Sequence, residues 1–156
     1  MPTLRLATPE DASVLGDIWY HGWRDAHLGN VPDELLAVRT KESFWERAAK
    51  RLNDTTVADV DGAVAGFIMV VADEVEQIYV SAAHRGTGIA ATLLAEAERL
   101  VRANGHEHAW LAVAPGNTRA RRFYERNGWL DEGLFNYEAA SENGTISVPC
   151  HRYVKR

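Results

Sequence analysis

The chain has 156 residues, 46% of them hydrophobic and 25% charged, with a formal net charge of −5. That size fits one compact domain over 1–156, and the acidic balance excludes a general nucleic-acid or anionic-membrane binder, which needs a basic excess; it leans toward a cationic substrate. Cys150 is the only cysteine, so no internal disulfide can form. No apolar run reaches the roughly 18–20 residues of a membrane helix or resembles a secretory signal, so a cytoplasmic protein is expected.

Thr3 to Ala7 alternates as a short strand, and Thr8-Pro9-Glu10-Asp11 supplies a capping threonine, a proline at the first helical position and early acids. The helix that starts there carries Ala12, Leu15, Ile18 and Trp19 at helical spacing. Its pattern fades near Gly22, and an irregular stretch is expected from there to Asn30. Pro32-Asp33-Glu34 opens a second helical stretch, with Phe44, Trp45, Ala48, Ala49 and Leu52 as its apolar face, ending near Asn53-Asp54.

The periodicity then becomes extended. Thr55 to Val60 and Val64 to Ala72 flank Asp61-Gly62, a pair suited to a tight hairpin, and Val75 to Val80 reads as a further strand. A long amphipathic helix runs from Gly88 to Asn104 and is stopped by Asn104-Gly105. His108 to Val113 is the next strand, and Asn117 caps a short helix bearing Ala120, Phe123 and Tyr124. Leu134 to Ala140 and Thr145 to Val154 form a last hairpin across Ser141-Glu142-Asn143-Gly144. The order β-α-α-β-β-β-α-β-α-β-β, with antiparallel hairpins and helix crossovers, implies an α/β fold of the α+β kind: one mixed sheet with helices on both faces.

The most informative stretch is Gln77 to Ala90, where a strand ends, a loop follows and the long helix begins. Glycines at such a junction let the backbone approach a diphosphate, while unpaired N–H groups at the helix start stabilise its oxygens; a plain glycine-rich turn is the alternative. Gly86-Thr87-Gly88-Ile89-Ala90-Ala91 formally matches the dinucleotide fingerprint. The context contradicts that match. Ser81 to Arg85 separate the glycines from the strand, and no acid for a ribose follows the next strand. A Walker-type loop is excluded because no Gly-Lys-Ser/Thr triplet is present.

Arg85-Gly86-Thr87-Gly88-Ile89-Ala90 and the preceding Ile78-Tyr79-Val80 resemble the pyrophosphate loop of the GNAT superfamily of acyl-CoA-dependent N-acetyltransferases. Asn117, Ala120, Phe123, Tyr124, Gly128 and Trp129 are similar to that family's downstream motif, with Trp129 in place of the commoner Phe. The resemblance covers nearly the whole chain. It implies a twisted, mostly antiparallel sheet of about seven strands, and acetyl-CoA as co-substrate held by Ile78, Tyr79, Val80, Arg85, Gly86, Thr87, Gly88, Ile89, Ala90, Asn117 and Tyr124. For Asn117 a bare helix cap is the other reading.

Acetyl transfer to an amine makes defined demands. An alkylammonium with a pKa of about 10 is free amine in roughly one molecule per thousand at neutral pH, so a base is needed. The oxyanion must be held and the leaving thiolate protonated. The resemblance puts Tyr124 near the cofactor sulfur as the acid and a backbone N–H near Val80 at the oxyanion. It puts Glu74 in the register of the base, with Glu76, which shares its strand parity unless a bulge intervenes, or a water chain as alternatives. Trp19, Trp23 and His27 fall in the region that walls the family's acceptor pocket; core packing is the competing reading for the tryptophans. Asp25 is a weaker candidate for reading a cationic substrate. His106 and His108 lack the companions of a metal site, so no metal is expected; His151 either faces the active site or lies on the surface.

The leading reading is an N-acetyltransferase acting by direct attack of a small-molecule or peptide amine on the thioester. A non-catalytic acyl-CoA-binding module is the alternative. The acceptor, the acyl group and the oligomeric state, a homodimer being one option, stay open.

Overall fold

The computed structural model describes residues 2–29, 31–141 and 144–156. Strands β1 (Thr3–Leu6), β2 (Thr55–Val60), β3 (Ala63–Val71), β4 (Glu74–Val80), β5 (Ala109–Val113), β6 (Leu130–Ser141) and β7 (Gly144–Lys155) form one seven-stranded sheet in the order β1-β2-β3-β4-β5-β7-β6. Every pairing is antiparallel except β4 with β5. Asp61 and Gly62 both adopt positive φ, 52° and 87°, in the β2–β3 hairpin. Glu142 and Asn143, the middle of the expected β6–β7 turn, lie outside the described residues; Ser141 pairs with Gly144 across it.

Five helices cover the two faces: α1 (Ala12–His27), α2 (Asp33–Val38), α3 (Lys41–Lys50), α4 (Ile89–Ala103) and α5 (Thr118–Arg126). On one face α4 and α5 bury Ile89, Leu93, Leu94, Ala97, Val101 and Tyr124 against Ile68, Val75, Leu111 and Tyr153. On the other, α1 and α3 bury Leu15, Trp19, Trp23, Phe44 and Ala48 against Val57, Phe67, Met69 and Val148. These are the apolar stripes expected of amphipathic helices laid on a sheet.

Three elements differ from the sequence expectation. Helix α1 continues through Gly22 to His27, because Gly22 lies where the helix crosses β4: a Cβ there would meet Tyr79 Cδ1 at 2.5 Å. The apolar pattern weakens at that position because close approach requires a glycine, not because the helix stops. The second helical stretch is two helices, broken at Arg39 and Thr40, where the Thr40 hydroxyl accepts from Ser43 N at 3.1 Å and caps α3. Strand β6 begins at Leu130 rather than Leu134, with an irregular register between Asp131 and Leu134.

Strands β4 and β5 share one register pair, Glu74 with Trp110, and then separate. A bulge lies in β4: Gln77 pairs with Met69 and Val75 with Val70, so Glu76 has no partner on β3. Val75 and Ile78, three residues apart, consequently both pack toward α4.

Phe44 is fully buried, with ring centroids 5.3 Å from Trp19 and 5.8 Å from Trp23. Phe44→Ala is expected to lower unfolding stability by about 3–5 kcal/mol, the range for emptying an aromatic site in a core. Urea denaturation checks it, and a loss under about 1 kcal/mol would mean that this cluster is not packed as described.

Candidate active site

Two cavities meet on the sheet where β4 and β5 separate. One, of about 410 Å³, lies at the start of α4 and is lined by Gly86, Gly88, Ile89, Ala90, Arg85 and Phe123 among others. The second, of about 390 Å³, lies between β4, β6, β7 and helices α1 to α3, with Trp19, Trp23, Arg39, Arg47, Glu74 and Glu76 in its wall. Ile78, Tyr79, Asn117, Ala120 and Tyr124 line both.

The first cavity has the chemistry of an anion cradle. Gly86 and Gly88 hold φ of 78° and 84°, which other residues adopt at a cost, and a Cβ at either position would point into open space. Gly88 is the N-cap of α4, without a side-chain cap, and the first hydrogen bond back into the helix runs from Thr92 N to Gly88 O. The amides of Ile89, Ala90 and Ala91 are thus not engaged by that first turn and carry the partial positive charge of the helix start. Gly86, Gly88 and the α4 amides leave room and donors for an anion. Arg85 also lines the cavity and is paired with Asp25 at 3.2 Å, which gives Asp25 a partner within the protein. Thr87 is not in the cavity wall; its hydroxyl donates to His84 O at 2.5 Å and tightens the loop. Asn117 caps α5, its Oδ1 accepting from Ala120 N at 3.2 Å, while also lining both cavities.

In the second cavity Glu74 and Glu76 reach the same space, since the bulge between Val75 and Gln77 does not send them to opposite faces. Glu76 accepts from Arg51 Nη2 at 2.8 Å. Glu74 has a neutral partner: Tyr137 Oη donates to its Oε2 at 2.7 Å. Burial raises the Glu74 carboxyl above its ordinary range, the Tyr137 hydrogen bond partly opposes this, and the Glu76 charge adds to it. Tyr124 is buried, and desolvation pushes its phenol well above the ordinary value. It stays protonated at neutral pH. Cys150 lines the same cavity, and burial lifts its thiol to about 11, so the thiolate needed for nucleophilic chemistry is scarce.

Trp19, Trp23 and His27 come together at the second cavity. They line the cavity, and the two tryptophans are also core, Trp19 fully buried. His27 stacks on Trp23 with ring centroids 5.0 Å apart, and burial lowers its pKa, leaving it neutral. His151 lies outside both walls and contacts Asp131 at 2.9 Å. Among the described residues no group of three or more His, Cys, Asp and Glu is placed to hold a metal, and no helix is long and apolar enough to cross a membrane. Sequence reasoning missed Tyr137, Arg39, Arg47 and Arg51. A signal existed for one of them: Arg47 falls at i+3 from Phe44, beside Ala48, on the stripe of α3 that otherwise holds apolar residues.

A mixed sheet that opens between two parallel strands, with a glycine-rich helix start at the mouth, defines the architecture of the site. Residues 17–129 match the model of the acetyltransferase (GNAT) family, and the chain belongs to that family. It is 33% identical over 102 residues to streptothricin acetyltransferase of Streptomyces lavendulae, a match covering 58% of this chain and 54% of that protein. The chain thus spans about half the length of that curated relative. The fold is similar to a GCN5-related N-acetyltransferase from Rhodopseudomonas palustris (TM-score 0.75, 22% identity, 99% of this chain and 95% of that one). It is also similar to the PaiA N-acetyltransferase of Thermoplasma acidophilum, solved in complex with coenzyme A (TM-score 0.69, 20% identity, 100% and 99%).

The Glu74–Tyr137 contact carries a signed expectation. A donor favours the carboxylate, so Tyr137→Phe should move the Glu74 titration further upward. Carbon-detected NMR of glutamate-labelled protein reads it; a downward shift, or a Glu74 midpoint in the ordinary range, would contradict the burial described.

Proposed function

We propose that the chain, acting as a single domain, is an N-acetyltransferase that moves an acetyl group from acetyl-CoA to a primary amine of a small molecule or peptide, by direct attack of the amine on the thioester. One observation carries this reading: the anion cradle at α4 and the carboxylate-bearing cavity meet at Tyr124, so an acyl donor and an amine entering from opposite sides would converge on one phenol. The solved relative bound to coenzyme A supports the same ligand class.

The α4 amides and the loop glycines would hold the diphosphate, with Arg85 at the edge. Acetyl-CoA supplies the electrophilic carbonyl and a thiol leaving group. Because β4 pairs with β5 only at Glu74, backbone groups beyond it on that edge have no strand partner, and an N–H near Val80 is the donor proposed for the oxyanion. Glu74 is the proposed base, directly or through water. Its raised pKa suits it to accept a proton near neutral pH, whereas the Glu76 carboxylate is already engaged by the Arg51 guanidinium. Tyr124, held protonated by burial, donates to the departing sulfur. The Cys150 thiol, also held protonated, gives no support to a covalent acyl-enzyme route.

Three outcomes test this reading. Gly88→Glu places bulk and like charge at the diphosphate position and should abolish coenzyme A binding by calorimetry while the circular dichroism spectrum persists; retained affinity would refute the loop assignment. Tyr124→Phe should lower kcat by roughly 100-fold with cofactor affinity largely preserved, and unaltered turnover would remove Tyr124 from the chemistry. Glu74 must be ionised to accept a proton, and its pKa is raised, so kcat/KM should climb with pH through an ionisation above the ordinary carboxylate range. Glu74→Gln should erase that limb. Tight coenzyme A binding with no turnover on any amine would instead favour a sensing module.

A further inference from the structure

Whole-chain charge leans toward a cationic acceptor, but the wall of the acceptor cavity also carries cations. Three arginines line it: Arg39 from the break between α2 and α3, Arg47 from α3, and Arg51 just after it. Only Arg51 is neutralised, by Asp54 and Glu76. Arg39 is 7% exposed, and among the described residues its guanidinium makes one hydrogen bond, from Nη2 to the backbone carbonyl of Ala140 at 2.5 Å. Arg47 stacks on Trp19, with Cζ 4.3 Å from the ring centroid, and its Nη1 is buried without a hydrogen-bond partner. Neither forms an ion pair with a described carboxylate. The remaining acids in the wall have their own partners: Glu74 has Tyr137, and Glu138, exposed, has Thr145 at 2.9 Å.

The buried Arg39 and the half-buried Arg47 repel each other, and desolvation disfavours the charge of each. The usual resolution within a protein is a carboxylate partner, and none is provided among the described residues. The Trp19 ring under Arg47 Cζ holds the guanidinium in the wall, and its unpartnered Nη1 is a donor that an anion in the cavity can use.

We propose that Arg39 and Arg47 form an oxyanion subsite in the acceptor cavity, so that the amine acetylated by this protein carries a carboxylate or phosphoryl group on the same molecule. This deepens the acetyltransferase reading and rests on it. An acceptor of this kind would be held at its anionic end by the arginines and present its amine toward Glu74. The two roles use separate residues, so they separate in experiment.

The probes are amino acids of graded length, glycine, 3-aminopropanoate, 4-aminobutanoate and 5-aminopentanoate, each beside its carboxamide and its aminoalkylphosphonate counterpart. Thiol release from acetyl-CoA gives kcat and KM, and calorimetry gives affinity for the CoA-saturated protein. At least one anionic amine should exceed its carboxamide by about tenfold or more in kcat/KM or in affinity, the range for charge-assisted hydrogen bonds. Preference for the phosphonate series identifies a phosphoryl source, and for the amino acids a carboxyl one. Arg47→Met, which keeps bulk against Trp19, should raise KM for the favoured anion tenfold to a hundredfold and leave the carboxamide within about threefold; Arg47→Lys should restore part of the preference. Should either variant fail to fold, Arg39→Lys and the wild-type comparison still decide the matter. Acetylation of amines with no preference for the anion, or an Arg47→Met loss equal for acid and amide, overturns the subsite and leaves the acetyltransferase reading standing. Anion-selective binding without acetylation supports the subsite and sinks that reading, and equal binding without turnover sinks both.

Discussion

The separation of β4 from β5 is the constraint on which the site depends. Parallel neighbours in the middle of a sheet normally pair along their length, and here they share Glu74 with Trp110 alone. The backbone edge of β4 beyond that point has donors and acceptors without strand partners, at the place where two cavities meet. Backbone polar groups that are not satisfied by the sheet are available to a ligand. The remaining features are arranged around that opening: α4 aims its first amides into one side, and β6 with α1 to α3 closes the other.

Burial then sets protonation states, and one physical term gives different results for different groups. Desolvation raises Glu74, Tyr124 and Cys150 together. For a carboxylate this makes a better base, for a phenol it secures a proton to donate, and for a thiol it removes reactivity. The Tyr137 hydrogen bond restrains the first of these shifts, which couples the β6–β7 hairpin to the proposed base although the two lie 63 residues apart in sequence.

The same desolvation bears on Arg39 and Arg47, with the opposite tendency, since a buried guanidinium is disfavoured in its charged form. The break at Arg39 and Thr40 ends one helix and caps the next, and it turns Arg39 inward to the Ala140 carbonyl.

The sequence by itself determined the order of elements apart from the break between α2 and α3, the mixed sheet and the glycine-rich start of α4, because these rest on local rules. Apolar periodicity distinguishes helix from strand, and glycines at positive φ mark turns and helix starts. It also brought Glu74 and Tyr124 into consideration through motif position. Only the tertiary structure decided which groups face each other. Tyr137 reaches Glu74 across strands that are not neighbours in the sheet, and Arg47 lies on an otherwise apolar helix stripe. Gly22 allows α1 to cross Tyr79, where sequence pattern reads as an ending. Side-chain partnership across long separations depends on register and helix placement, which no local window of residues encodes, and the balance of charge inside a cavity follows from that placement rather than from composition.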